Sequence, residues 1–132
     1  ISDGADLGRL ARRHPRASFI LAHIGGGGDY RHTFAAVEDI ENVYLDLSGS
    51  GVDRGMLDDA LRAVGAPRLV WGSDITMETG LAKLRALEVI GPGADAMADI
   101  RWRTAARIFP PGSLPNVPAA DALRAVATAG AV

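Results

Sequence analysis

Three short apolar segments of this chain have the length and pattern of β-strands. Residues 18–22 form a continuous apolar run, which is typical of a strand covered on both faces. Residues 42–48 alternate apolar with polar side chains, so one face of that strand is predicted to be polar. The third strand is predicted to begin near residue 68 and to end at Asp74, after an apolar run that leads into Gly-Ser-Asp. Each predicted strand is therefore followed by a polar or glycine-containing loop.

Segments with helical periodicity separate these strands. Apolar residues at helical spacing predict a first helix over residues 6–14, with Asp3 or Asp6 as its cap. Asp29 and Asp53 are placed to cap two later helices. The inward positions of the later helices are predicted to be Phe34, Val37 and Ile40; Met56, Leu57, Ala60, Leu61 and Val64; Leu81, Leu84, Leu87 and Ile90; and, from about residue 95, Met97, Ile100 and Ile108.

The order of elements is one helix, three strand–helix units and then further helices. This order predicts an α/β fold of parallel strands joined by right-handed helical crossovers. A closed (β/α)₈ barrel takes roughly 200 residues or more. A chain of 132 residues therefore predicts either a small open sheet or the end of a larger barrel. We assign residues 1–110 to this unit and residues 111–132 to a tail with a weak helix.

The predicted strand ends carry the candidate chemistry. His23 precedes four glycines that leave its imidazole approachable, although a strand-end histidine bonded to backbone is the alternative. Asp46 and Ser48 lie on the polar face of the second strand, where a hydrogen-bond network is favoured. Asp74 is predicted to be partly buried, so its charge needs a cation or several N–H donors nearby. The alternative is that it caps the helix that follows. Because parallel strands share a direction, His23 and Asp74 are predicted to converge on one rim.

Composition limits the chemistry further. With a net charge of −2, no strong field points to nucleic acid or a membrane surface. The absence of cysteine excludes disulfides, thiolate metal sites and a cysteine nucleophile. No Gly-x-Ser-x-Gly motif is present, which disfavours a serine hydrolase. No apolar run approaches the roughly 18–20 residues of a membrane span. The absence of a signal peptide favours the cytoplasm.

The four glycines of residues 25–28 allow a second interpretation. They could bind a phosphate at a helix N-terminus. Asp46 lies about 20 residues later, where a dinucleotide-binding motif carries an acidic residue, so the match to that motif is partial. Tyr30 occupies the position of the third glycine, and no Lys-Ser/Thr follows. A small nucleotide-binding α/β module is therefore kept as an alternative. Lys83, the only lysine, is interpreted as compositional bias.

Four motifs, in order, resemble the amidohydrolase-related family, which includes aminocarboxymuconate-semialdehyde decarboxylase and its relatives. The similar segments are residues 14–15 and 19–26 (family strand 6), residues 42–49 (strand 7), residues 69–74 (strand 8) and residues 100–109, with Ala-Ala-Arg-Ile-Phe (closing helix). Together they span about residues 6–109. The resemblance implies a (β/α)₈ barrel with one divalent metal, commonly zinc, at its mouth, of which this chain matches strands 6–8.

The resemblance also implies roles for particular residues. Asp74 would bind the metal or its activated water, and His23 would contact that water, contribute to the metal site and transfer protons. Gly25, Gly26 and Ser48 are the predicted substrate-binding residues. Because family members hydrolyse C–N or C–O bonds or decarboxylate aromatic and dienoic acids, the implied substrate is a small organic acid, amide or ester.

The chain also departs from the family pattern. The His-x-His of strand 1 and the histidine of strand 5 have no counterpart here. Thr76, Arg103 and Thr104 replace a proline, a glycine and an asparagine that the family often carries. A catalytic zinc generally keeps about three protein ligands. His23 and Asp74 supply two, so we expect this chain alone to hold a metal weakly and to catalyse little.

Two further expectations follow from these departures. Either the chain is the C-terminal portion of a metal-dependent hydrolase or decarboxylase, or it is a non-catalytic truncated barrel fragment. In both cases the first strand would have an open edge, which a homodimer or a missing N-terminal half-barrel would cover.

Overall fold

The computed structural model describes residues 3–25, 29–49, 54–75, 80–110 and 113. The helices of this part of the chain are α1 (Gly4–Arg13), α2 (Tyr30–Val37), α3 (Arg54–Val64), α4 (Leu81–Ile90), α5 (Ala94–Ala98) and α6 (Thr104–Ile108), and its strands are β1 (Phe19–Leu21), β2 (Val43–Asp46) and β3 (Leu69–Val70). A 3₁₀ turn, Ala66–Arg68, precedes β3, and a π-helical turn, Asp99–Arg103, joins α5 to α6. The three strands form one parallel sheet in the order β1–β2–β3. The α/β prediction is therefore confirmed.

A row of leucines crosses one face of the sheet and anchors the helices. Leu21 pairs with Leu45, and Leu45 pairs with Leu69. All three are buried, in one apolar cluster with Val37 of α2 and Leu57 of α3. Burying a leucine side chain stabilises a fold by about 1.5–3 kcal/mol. This face of the sheet is thus the core of the described chain.

The opposite face of the sheet is more open. Ile20 pairs with Tyr44 on this face, and Ile20 is 38% exposed while Tyr44 is half-buried. The prediction that the first strand is covered on both faces is therefore wrong, because β1 lies at an edge of the sheet and its core contacts are on the leucine face. The polar face predicted for the second strand is confirmed, since Asp46 lies beside Tyr44 on that open face.

The predicted caps can be compared with the structure at two helices. Asp3 caps α1 by accepting a hydrogen bond from the Asp6 backbone N–H at 2.8 Å. Asp29 accepts from two backbone N–H groups at the start of α2. Asp53 lies outside the described residues, as does all of the tail assigned a weak helix except residue 113. The inward prediction for Leu81 is wrong, since Leu81 is 54% exposed. Helical spacing identifies all apolar positions on one side of a helix, but the neighbouring elements cover only some of them.

The third strand is shorter than predicted, and the last predicted helix is interrupted by a π-helical turn. The third strand was predicted to end at Asp74, but β3 ends at Val70, whose carbonyl accepts from the Leu47 backbone N–H at 2.8 Å. The next N–H, that of Trp71, donates instead to the carbonyl of Ile100 at 3.0 Å. Ile100 lies in the π-helical turn, where the wider spacing frees carbonyls from ordinary helical bonding. The turn thus interrupts the predicted helix and covers this end of β3.

No helix in the described ranges is both long enough and apolar enough to cross a lipid bilayer.

Candidate active site

Three loops meet at the carboxyl edge of the sheet. The turn Ala22–Gly25 follows β1, residues 47–49 follow β2, and residues 71–75 follow β3. Because all strand pairs are parallel, these loops leave the sheet in the same direction. The carboxyl edge is where parallel α/β folds place their ligand sites.

The backbone at this edge is strained at the candidate residues. Among the described residues, those with positive φ that are not glycine are His23 (57°), Ile24 (52°) and Asp74 (51°). A non-glycine residue in this region costs on the order of 1–3 kcal/mol, and such residues cluster at functional sites. The Ile24 side chain is only 2% exposed, so its burial helps hold the turn. The strain therefore coincides with both predicted catalytic residues.

The structure places the His23 imidazole beside the Asp74 carboxylate. His23 Nδ1 lies 3.9 Å from Asp74 Oδ2, and the two side chains are 47% and 27% exposed. Ser48 Oγ lies 3.3 Å from the same Nδ1. An imidazole and a carboxylate that are 51 positions apart in the sequence therefore share one partly open surface. Both groups remain accessible to a ligand from solvent.

Asp46 organises this surface through hydrogen bonds. Its carboxylate accepts from the Ser48 backbone N–H at 3.1 Å, from the Ser48 hydroxyl, and from the His23 backbone N–H at 3.4 Å. The Ser48 hydroxyl has one proton, and an ionised Asp46 can only accept it. Ser48 Oγ must then accept from His23 Nδ1–H. We assign the neutral ring the tautomer with its proton on Nδ1, which leaves the lone pair on Nε2.

Two glycines allow the three loops to pack this closely. A Cβ on Gly72 would lie 2.7 Å from Asp46 Oδ1 and 3.1 Å from Ser48 Cβ. Gly49 has φ of +91°, and a Cβ there would lie 2.9 Å from His23 Cγ and closer still to Nδ1. Real Cβ atoms essentially never approach other atoms within 3.0 Å. The absence of a side chain at these positions is therefore required by the packing of the site.

Lys83 also lies at this edge of the sheet, and the sequence did not identify it as a site residue. It lies on α4, is 3% exposed, and donates from Nζ to the carbonyls of Ser48, at 2.8 Å, and Gly49. Its interpretation as compositional bias misses this location. The available signal was its uniqueness, as the only lysine in a chain rich in arginine.

The other predicted residues have less definite positions. Gly25 ends the turn after β1, and Gly26 lies outside the described residues, with most of the proposed phosphate cradle. Ser48 is 9% exposed, and its hydroxyl is bonded within the protein. The other two histidines of the chain, His14 and His32, are exposed.

The residues at this edge fit, in part, the divalent metal that the family resemblance implies. His23 and Asp74 supply nitrogen and oxygen ligands of the types that zinc binds. Over the residues that the structure describes, no group of three or more His, Cys, Asp or Glu side chains could hold a metal ion. The pair therefore fits part of a metal site, and further ligands are needed to complete it.

The three parallel strands and the helices packed on them define a parallel α/β protein, with the candidate polar groups at the carboxyl ends of its strands. The sequence profile of the amidohydrolase family matches residues 2–110. The chain therefore belongs to the amidohydrolase family, as its motifs indicated. None of the curated proteins compared with it matches the chain in sequence.

Several solved structures are similar to this chain. Amidohydrolase 2 from Bifidobacterium longum subsp. infantis has a TM-score of 0.62 and 17% identity, over 80% of this chain and 44% of its own. An amidohydrolase from Burkholderia multivorans, solved with bound zinc, has a TM-score of 0.66 and 23% identity, over 80% and 48%. 2,6-Dihydroxybenzoate decarboxylase, solved with 2,6-dihydroxybenzoate, has a TM-score of 0.59 and 21% identity, over 76% and 36%. This chain thus spans less than half the length of each, and the likeness shows a shared fold.

Proposed function

We propose that this chain forms the C-terminal part of an amidohydrolase-type barrel, with β1, β2 and β3 equivalent to barrel strands 6, 7 and 8. In that role it contributes His23 and Asp74 to a metal-dependent hydrolase or carboxy-lyase. The observation that carries the proposal is the 3.9 Å separation of the imidazole and the carboxylate at the carboxyl edge of a parallel sheet. The family match supports it over a nucleotide-binding module.

The two side chains have complementary roles in this proposal. Asp74 is 27% exposed on its side chain, so its carboxylate combines partial shielding with an open path for a ligand. His23 presents Nε2 as the atom that binds a metal or takes and returns a proton, because Nδ1–H is held by Ser48. A positioned acid or base of this kind contributes about 10²–10⁴ in rate. Asp46 acts indirectly, by fixing Ser48 and the His23 backbone.

The proposed cofactor is a divalent metal, with zinc favoured because one similar amidohydrolase was solved with zinc bound. When bound, such an ion lowers the pKa of a coordinated water toward neutrality and polarises a carbonyl oxygen. His23 and Asp74 would hold it from this chain. Further ligands would come from the remainder of the barrel, or from a second copy of the chain.

The proposed substrate is a small organic acid, amide or ester. The family favours hydrolysis, and the fold is shared with a decarboxylase of an aromatic acid. Gly25 and Gly26 follow His23 within three positions of the sequence, and Ser48 contacts its ring, so we keep these residues as candidate substrate contacts. The first two are glycines, which let a substrate approach the backbone closely.

Metal binding tests the proposal directly. In equilibrium dialysis against Zn²⁺ followed by metal analysis, Asp74→Asn and His23→Gln are each expected to weaken binding by about tenfold or more, since the first removes the carboxylate charge and the second the imidazole nitrogen from an already small set of ligands. The matched controls are Asp95→Asn, whose side chain is 94% exposed in a pair with Arg103, and His14→Gln, which is exposed.

The controls are expected to bind Zn²⁺ as the parent chain does. Equal affinities for all five proteins would contradict the proposal, because the bound zinc would then lie elsewhere on the surface. Selective loss in the Asp74 and His23 variants also distinguishes this site from the non-catalytic fragment, for which no shared metal site is expected.

A further inference from the structure

Lys83 is a cation held inside the protein close to the proposed site. It lies on α4, is 97% buried, and donates from Nζ to the carbonyls of Ser48 and Gly49. An ammonium group is costly to bury unless strong acceptors surround it. Two consecutive backbone carbonyls are such acceptors, and the position ties α4 to the loop that follows β2.

The loop that Lys83 holds is also the loop that contacts the His23 ring. Ser48 Oγ lies 3.3 Å from His23 Nδ1. Gly49 packs against the ring so closely that an added Cβ would lie 2.9 Å from His23 Cγ and 3.0 Å from His23 Cβ. The two residues whose carbonyls accept from Lys83 are therefore the same two residues that fix the imidazole on one side.

His23 needs such external support. Its φ of 57° is in the left-handed region, where a non-glycine residue remains only if its surroundings impose that conformation. If the ammonium is removed, two buried carbonyl oxygens lose a hydrogen-bond donor. The loop is then more stable when these carbonyls turn toward water and accept hydrogen bonds from it. That movement takes Gly49 off the ring and separates Ser48 Oγ from Nδ1. The ring then loses both its packing and its preferred tautomer.

We propose that Lys83 is a positioning residue for His23, acting through the Ser48 and Gly49 carbonyls. This inference rests on the proposed function for its significance, because orienting His23 matters to chemistry only if His23 is part of the site. The geometric claim itself is independent of any metal or substrate. It can therefore be tested on the metal-free 132-residue chain.

The absence of cysteine allows a chemical test of the ammonium group. Lys83→Cys introduces the only thiol of the chain. Alkylation of the unfolded protein with 2-bromoethylamine, followed by refolding, gives a side chain of lysine's length that carries an ammonium. Alkylation with 1-bromopropane gives the same length ending in a methyl group. The two products thus differ only in the charge and donors at the end of the side chain.

NMR reports the His23 position in each product. The read-outs are the NOE between the Gly49 α-protons and the His23 β-protons, and the ring tautomer from long-range ¹H–¹⁵N spectra. The aminoethyl product is expected to reproduce both features of the parent chain. The propyl product is expected to lose the NOE and the Nδ1–H preference. His14 and His32, which are both exposed, serve as internal references.

A core variant on the same helix separates positioning from general destabilisation. Leu87 is 0% exposed on α4, so Leu87→Ala weakens the fold without removing the ammonium. We expect it to keep the NOE and the tautomer. The inference is overturned if the propyl product keeps both features, or if Leu87→Ala loses them equally.

A second variant tests the inference if the propyl product fails to fold. Lys83→Gln shortens the side chain, removes the charge and keeps a neutral amide donor. It is expected to lose the NOE, and a retained NOE overturns the inference. A negative zinc experiment would contradict the proposed function without altering these NMR outcomes, so the two failures are distinguishable.

Discussion

A Gly49→Ala variant is expected to lose about 3 kcal/mol of folding stability, from left-handed strain and overpacking together, and to displace the His23 ring. The added methyl group meets His23 Nδ1, Cγ and Cβ, at 2.9 Å for Cγ and 3.0 Å for Cβ. Neither side yields easily, because the loop is held by Lys83 and the imidazole belongs to a left-handed turn. Denaturant unfolding measures the stability, and the NMR signals of His23 report the displacement.

The matched control for this variant is Gly93→Ala. Gly93 has φ of +97°, close to the +91° of Gly49, but nothing lies within 4 Å of its added Cβ. It therefore carries the conformational cost, on the order of 1–3 kcal/mol, without the collision. We expect the His23 signals of this control to match the parent chain. Equal displacement of His23 in both variants, or in neither, would contradict the packing that the structure shows.

Asp46→Asn is expected to reverse the His23 tautomer and to lower stability by about 1.5–3 kcal/mol, the contribution of a hydrogen bond to a charged group. The carboxylate of Asp46 accepts from the Ser48 hydroxyl and from two backbone N–H groups. An amide turned toward the Ser48 hydroxyl donates to it instead. The hydroxyl proton then points to His23 Nδ1, and the ring proton moves to Nε2. The atom proposed to bind the metal or carry the proton loses its lone pair.

Long-range ¹H–¹⁵N spectra of the neutral ring measure this reversal. Asp95→Asn is the matched control, because its pair with Arg103 is exposed and such pairs contribute about 0–1 kcal/mol. We expect its tautomer and stability to equal those of the parent chain. An Nδ1–H ring in Asp46→Asn would show that Ser48 does not set the tautomer, and the proposed role of Nε2 would then lose its basis.

Much of the fold could be predicted because it depends on local signals. Three apolar runs separated by helical periodicity give three parallel strands, and the caps at Asp3 and Asp29 follow from side-chain chemistry. The strand ends and the π-helical turn could not be predicted in the same way. Trp71 leaves the strand because its N–H is taken by Ile100, a partner about thirty positions away that no local pattern reveals.

The site was predictable to a similar extent. Parallel strands deliver their following loops to one edge, so the sequence order alone brings His23 and Asp74 to the same side. Their left-handed backbone, the Ser48 bond to the ring and the burial of Lys83 depend on packing between loops that are distant in sequence. The exposure of Ile20 depends on which elements cover the second face of the sheet. Periodicity identifies an apolar side chain but not what packs on it.

In the proposed function, the His23 imidazole and the Asp74 carboxylate form one metal-dependent site. Anomalous X-ray diffraction at the zinc edge, from crystals of the chain grown with Zn²⁺, tests it most directly. We expect a zinc peak at bonding distance from an Asp74 carboxylate oxygen, about 2.0–2.2 Å, with Nε2 of His23 no more than one water molecule away. Zinc bound only at other residues, or electron density that places these two side chains at opposite ends of the sheet, would contradict it.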